Sequence, residues 1–301
     1  MKIKKIVLCL LGLFALVGCE TATSTPTSTS TPTPVSKEVA LEKLKDSIKA
    51  LTEVEEVLVE GSGSLKTTID EITTEMSVSV TLGMKGTGDS FQFLLKETIS
   101  QTQMFEGQAY IYELTQIMAY TDGWAYAVEV DTMNGIELSL YATKEELPAA
   151  DVEAQMKSYR DDEELSVQLD NYLLLLTESD INSATKSGEN TTISLNATTF
   201  IKRQLITAGE LEDAPDFIVD DAKPLLVDVT LKEEKISKVA VDYKAVGIEV
   251  DQDYDYENDE IISVIGDIEL KGSATIKYSS FVLDFAFLSD YTFEIGGGIE
   301  Y

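Results

Sequence analysis

Apolar and polar residues alternate along most of this chain. Met76, Val78, Val80 and Leu82 are separated by Ser77, Ser79 and Thr81, a period of two that predicts a strand with one apolar face. Phe91, Phe93 and Leu95 begin another such run. Residues 109–120 and 124–130 form two more, joined by Asp122-Gly123, a pair suited to a type I′ hairpin turn. In the second arm Trp124, Tyr126, Val128 and Val130 point one way, and Ala125, Ala127 and Glu129 the other. Asn134-Gly135 predicts a further hairpin into residues 136–142. Residues 191–206, Leu225–Leu231 and Ile236–Ile248 read as strands, the last two joined by a turn at Glu233-Glu234-Lys235. Residues 261–270, 273–280 and 281–288 read as the last long strands, with 291–295 adding another.

Helical spacing occurs in three places. Leu41, Leu44, Ile48 and Leu51 form one stripe, with Ser36 placed to cap it. Residues 149–160 form a second candidate. In 162–178, Leu165, Leu169, Tyr172, Leu173 and Leu176 share a face, as in a helix packed across a sheet or a lid over an apolar cavity. Residues 207–224 read as an acidic loop. Strands in series, without strand–helix–strand alternation, predict an α+β fold on an antiparallel sheet.

The N-terminus is different. Lys2, Lys4 and Lys5 precede an apolar run from Ile6 to Val17, too short for a mature membrane span and of the length of a signal segment. It ends in Leu16-Val17-Gly18-Cys19, which resembles a bacterial lipobox. The resemblance implies cleavage after Gly18, acyl chains such as palmitate on Cys19, and an extracytoplasmic protein anchored in the cell membrane by lipid. Cys9 lies within the signal segment, so a mature chain would keep only Cys19 and form no internal disulfide. Glu20–Ser36 is almost wholly Thr, Ser and Pro and has nothing to bury. It reads as an extended spacer with a reach of roughly 50 Å. The expected organisation is a signal peptide over 1–18, a lipidated cysteine and tether over 19–36, and one domain over 37–301.

Charge narrows the function. The 301 residues hold 23 basic and 54 acidic side chains and no histidine, a net charge of −31. Without Lys2, Lys4 and Lys5 the remainder is 20 basic against 54 acidic, or −34. Such a surface repels phosphate, so nucleic acid is not an expected partner. Catalysis through a histidine base and zinc binding through imidazole are excluded. No short catalytic motif is present, and the chain reads as a binder and not an enzyme.

Two clusters remain as candidate sites. Asp251, Asp253 and Asp255 place carboxylates at every second residue, as a calcium loop begins. The EF-hand pattern then fails at Tyr256 and Ile262, leaving a solvated hairpin tip or a weak divalent-cation site, with no other cofactor expected. Phe91, Phe93, Trp124, Tyr126 and Val128 are either core or the lining of an apolar pocket.

The lipobox, the Leu41–Leu51 helix leading into Val57-Leu58-Val59-Glu60-Gly61, the aromatic hairpin Tyr120–Tyr126 and the strand pair Leu225–Leu231 and Ile236–Tyr243 together resemble the LolA/LppX-like lipoprotein-carrier group. The resemblance implies a large curved antiparallel sheet, an incomplete β-barrel, wrapped around a few helices and enclosing a cavity for lipid. It implies a protein that binds or transfers an apolar ligand. The alternative is a surface interaction or structural lipoprotein with a filled core.

Overall fold

The computed structural model describes residues 31–70, 72–105, 107–160, 173–208, 220–255 and 260–296. Gly18 and Cys19 lie outside these residues, as do most of the predicted 162–178 helix and residues 209–219 of the acidic loop.

A two-residue strand, β1 (Thr33–Pro34), precedes helix α1 (Lys37–Thr52). Ser36 Oγ accepts from the Val39 backbone N–H and caps α1 as its sequence predicts. Six strands follow as a meander: β2 (Val57–Ile69), β3 (Ile72–Lys85), β4 (Gln92–Phe105), β5 (Gln108–Thr121), β6 (Trp124–Met133) and β7 (Ile136–Glu146). Helix α2 (Ala149–Arg160), the hairpin β8 (Ile181–Ser187) and β9 (Asn190–Asn196), and helix α3 (Ala197–Ala208) come next. The long strands β10 (Leu226–Lys232), β11 (Lys235–Asp255) and β12 (Glu260–Lys277) follow, and β13 (Glu294–Ile295) ends the described chain.

All the strands form one curved sheet in the order β1-β8-β9-β10-β11-β12-β2-β3-β4-β5-β6-β7-β13. Every neighbouring pair is antiparallel except β7 with β13. The sheet is not closed, so the α+β expectation holds; at its two ends the two-residue strands β1 and β13 cover only Thr185–Lys186 of β8 and Thr143–Lys144 of β7. Proline is tolerated in β1 because no ladder bond is asked of its nitrogen. The turns follow their chemistry: Asp122 and Gly123 have φ of 53° and 80°, Asn134 and Gly135 51° and 75°, as a type I′ turn requires.

The register assigns side chains to faces, because residues directly opposite share one. Val59, Ile276, Ala274, Val239, Val229 and Ile193 all fall on one face, where Ala40 and Leu44 of α1 cover them. Val241, Tyr243 and Ile268 continue that face beneath Ala197 and Ile201 of α3. Phe93, Tyr120 and Ala125 continue it at the other flank beneath Val152 of α2. Thus α1, α2 and α3 lie on the same side of the sheet. The opposite face presents Leu58, Leu94, Ile117, Ala119, Val128 and Ala142, and the segment 281–293 covers it.

Two segments differ from the sequence pattern. Residues 191–206 were expected as strand throughout, but β9 ends at Asn196 and α3 begins. Asn196 Oδ1 accepts from the Thr199 N–H at 3.1 Å, an N-cap bond that starts the helix. Residues 281–288 alternate like a strand, yet they form an irregular run ending in the 3₁₀ turn Ala286–Asp290. Their apolar side chains cross the sheet face instead of extending its edge. Part of the segment expected as a spacer is also built into the fold. Thr33 and Pro34 pair with Lys186 and Thr185 of β8, and the Val35 N–H donates to the Ala184 carbonyl, so these residues belong to the sheet.

Candidate functional site

The five aromatic and aliphatic candidates do not line one pocket. Phe93 lies opposite Tyr120, which lies opposite Ala125, whereas Trp124, Tyr126 and Val128 occupy the other parity of β6. Phe91 and Phe93 are therefore on the helix face, buried to 3% and 7% exposure against Tyr120 and Val152. The Phe91 and Tyr120 rings sit 6.1 Å apart, and the Tyr120 hydroxyl donates to the Leu147 carbonyl at 3.0 Å. Burial pushes the Tyr120 hydroxyl pKa up, with the Asp89 charge adding to it.

Trp124, Tyr126 and Val128 are on the opposite face, and segment 281–293 fills it. Phe293 meets the Tyr126 ring edge-on at 5.1 Å between centroids. Lys144 Nζ lies 4.8 Å from the Trp124 ring centroid, and Lys96 Nζ lies 4.9 Å from that of Phe287. Lys85 Nζ donates to the Phe281 carbonyl at 2.6 Å and fixes the start of the segment. Leu283 packs so closely on β3 that a Cβ at Gly83 would stand 2.2 Å from its Cδ2. This face is packed core.

The opening lies on the helix face instead, beyond the part that α2 covers. Leu95, Met118 and Ala127 are cross-strand neighbours on β4, β5 and β6 and form an apolar floor. The next row outward is Glu97, Gln116, Glu129 and Tyr141, which rims the depression with polar groups. The depression holds about 230 Å³. Gln116 Nε2 donates to Glu129 Oε2 at 2.7 Å and holds one carboxylate over the floor.

One row further, the Tyr112 hydroxyl and Ser139 Oγ donate to the two oxygens of Asp131 at 2.6 and 2.7 Å. These bonds, Tyr112 first, hold the Asp131 carboxyl below its ordinary pKa, and the same bond raises the Tyr112 hydroxyl. Elsewhere on this face Gly63 of β2 lies opposite Gly272 of β12, which leaves a strip without side chains in the middle of the sheet.

Sequence reasoning missed Leu95, Met118 and Ala127 as a set. They lie on three strands, and only the register brings them together. Glu97, Gln116 and Glu129 carried no motif at all.

The acidic run lies at the β11–β12 hairpin. Asp251, Asp253 and Asp255 are in β11, opposite Val264, Ile262 and Glu260, and their side chains lie outside the described part of the structure. Among the described residues no group of three His, Cys, Asp or Glu side chains is placed to hold a metal ion. No described helix is long and apolar enough to cross a membrane. No protein-family model, no curated protein and no solved structure matches this chain.

Proposed function

We propose that this chain is a lipid-anchored extracytoplasmic protein that binds an apolar ligand on the helix-covered face of its open sheet, in the manner of the LolA/LppX-like carriers it resembles. The observation that carries the reading is the asymmetry of the two faces. One is filled by segment 281–293. The other is covered in patches by α1, α2 and α3 and keeps a depression floored by Leu95, Met118 and Ala127. Its volume of about 230 Å³ is smaller than the ~300–1,000 Å³ of drug-sized sites, so it suits a short apolar group or one end of a longer chain. Cys19 supplies the anchor, and two or more acyl chains give stable attachment. The acidic body then keeps its distance from an anionic bilayer.

The test is native mass spectrometry of the full chain released from its own membranes with mild detergent. A copurifying apolar mass is expected, and Ala127→Phe, which fills the floor, should lose it while retaining the wild-type circular dichroism. No bound mass, combined with no thermal shift on adding lipid, overturns the ligand reading. The anchor is tested separately: Cys19→Ser should move the protein from the membrane to the soluble fraction, and continued membrane association defeats that part.

A further inference from the structure

The outer half of β7 is an unprotected edge. β13 pairs only with Thr143 and Lys144, and the Gly296 N–H donates to the Lys144 carbonyl, so Glu294–Gly296 point away from Ile136. Among the described residues no strand pairs with the outer side of Ile136–Tyr141. Natural edges are blunted by lysine, proline or a covering segment, and this stretch has none of these; its devices are Glu137 and the bulge that leaves Leu138 out of register with β6. The side chains there are exposed and apolar: Ile136 is 69% exposed, Leu138 58%, Tyr141 53% and Leu140 46%. Met133, Tyr110 and Ile111 on the adjoining strands extend the patch.

Charge says what kind of partner fits. Between Lys96 and Lys144 there is no lysine or arginine, and Glu113, Glu129, Asp131 and Glu137 lie on β5, β6 and β7 towards the Asn134-Gly135 end. The other flank, over 226–277, interleaves six lysines with its acids. The β5–β7 end therefore presents an apolar edge in a one-signed field, which favours a cationic partner and repels an anionic one. A bilayer is a poorer fit. The tether enters at Thr33–Pro34 beside the β8–β9 turn, at the end of the sheet that holds Asp122-Gly123. The patch lies at the Asn134-Gly135 end, a strand length of about 30 Å away.

We infer that the edge Ile136–Tyr141 of β7 docks an extended, basic and apolar polypeptide segment, which adds as a further strand. Backbone N–H and C=O groups of the edge supply the ladder. Alternate apolar side chains of the partner meet Ile136 and Tyr141 on the helix-covered side, and its lysines or arginines meet Glu137 and Glu113 on the other side. The edge shares Tyr141 with the rim of the depression but needs no ligand in it.

The test uses the full chain and three fluorescent nine-residue peptides: alternating lysine and isoleucine, the same with glutamate for lysine, and the lysine peptide N-methylated at alternate amides. Fluorescence anisotropy should show micromolar binding of the first, and binding at least about tenfold weaker for the second and third. The double variant Ile136→Lys, Leu140→Lys changes exposed side chains only and should keep the wild-type melting curve while losing the peptide. On the unaltered chain, hydrogen exchange at residues 136–141 should slow when peptide is present. Equal binding of the N-methylated peptide, full binding by the double variant, or unchanged exchange over 136–141 each overturns the inference. So does flotation of the protein with zwitterionic vesicles that disappears in the double variant, which would make the patch a membrane contact.

Discussion

Gly83 and Leu283 give a direct test of whether the face bearing Trp124, Tyr126 and Val128 is packed core or an open pocket. Leu283 is 5% exposed, and its Cδ2 would lie 2.2 Å from a Cβ added at Gly83. Gly83→Ala should therefore cost ~1–3 kcal/mol by overpacking. The loss of glycine's unfolded-state freedom offsets ~0.5–1 kcal/mol of that. Leu283→Ala removes buried methyl groups and should cost ~2–5 kcal/mol. In the double variant the added methyl occupies space the leucine vacated. Gly83→Ala should then be neutral or stabilising by ~0.5 kcal/mol in the Leu283→Ala background, a reversal of sign. Urea unfolding followed by tryptophan fluorescence reads all four corners of the cycle, since Trp124 is the only tryptophan and lies on this face. If the two changes add within ~0.5 kcal/mol, segment 281–293 does not pack on β3 as described and the pocket reading of that face returns.

Two further outcomes follow from buried polar groups. Asp180 is fully buried and accepts from Arg203 Nη1 and Nη2 at 2.9 and 2.6 Å and from the Thr177 N–H at 2.7 Å, while Arg203, also bonded to the Leu175 carbonyl, keeps 28% of its side chain exposed. Arg203→Met should cost ~3–5 kcal/mol because it strands a buried carboxylate, and Asp180→Asn less because the guanidinium can rehydrate; equal costs in urea unfolding would contradict this. The Tyr278 hydroxyl, which donates to the Ile236 carbonyl at 2.7 Å, has its pKa pushed by burial from 10.0 to about 12. A raised folded pKa gives stability that is complete below the unfolded value of 10 and lost as pH rises toward 12, so the wild-type melting temperature should fall over that window more steeply than that of Tyr278→Phe. Parallel curves for the two proteins would remove Tyr278 as the cause.

Much of the fold is legible in the sequence because its signals are local. Ser36 caps α1, Asp122-Gly123 and Asn134-Gly135 turn their hairpins, and the period of two from Met76 to Leu82 makes β3. The absence of strand–helix–strand alternation correctly implies an antiparallel sheet. Each of these rests on residues a few positions apart. Asn196 was a local signal too, and its cap on α3 went unread because the residues before it alternate as a strand.

The tertiary structure decided what alternation leaves open. Period two says that a segment has two faces, and not which partner lies on either. Phe93 and Tyr126 look equivalent in sequence, yet the β4–β5–β6 register puts them on opposite sides of the sheet, one under α2 and one under segment 281–293. Phe281, Leu283 and Phe285 alternate as a strand would. A strand needs a neighbour with free backbone groups along its length, and here the apolar surface of β3–β6 was the larger gain, so the segment lies across it. The candidate depression exists only because Leu95, Met118 and Ala127, far apart along the chain, fall opposite one another. The sequence by itself determined the elements, the turns and the acidity, and pairing between distant strands determined the faces, and with them the site.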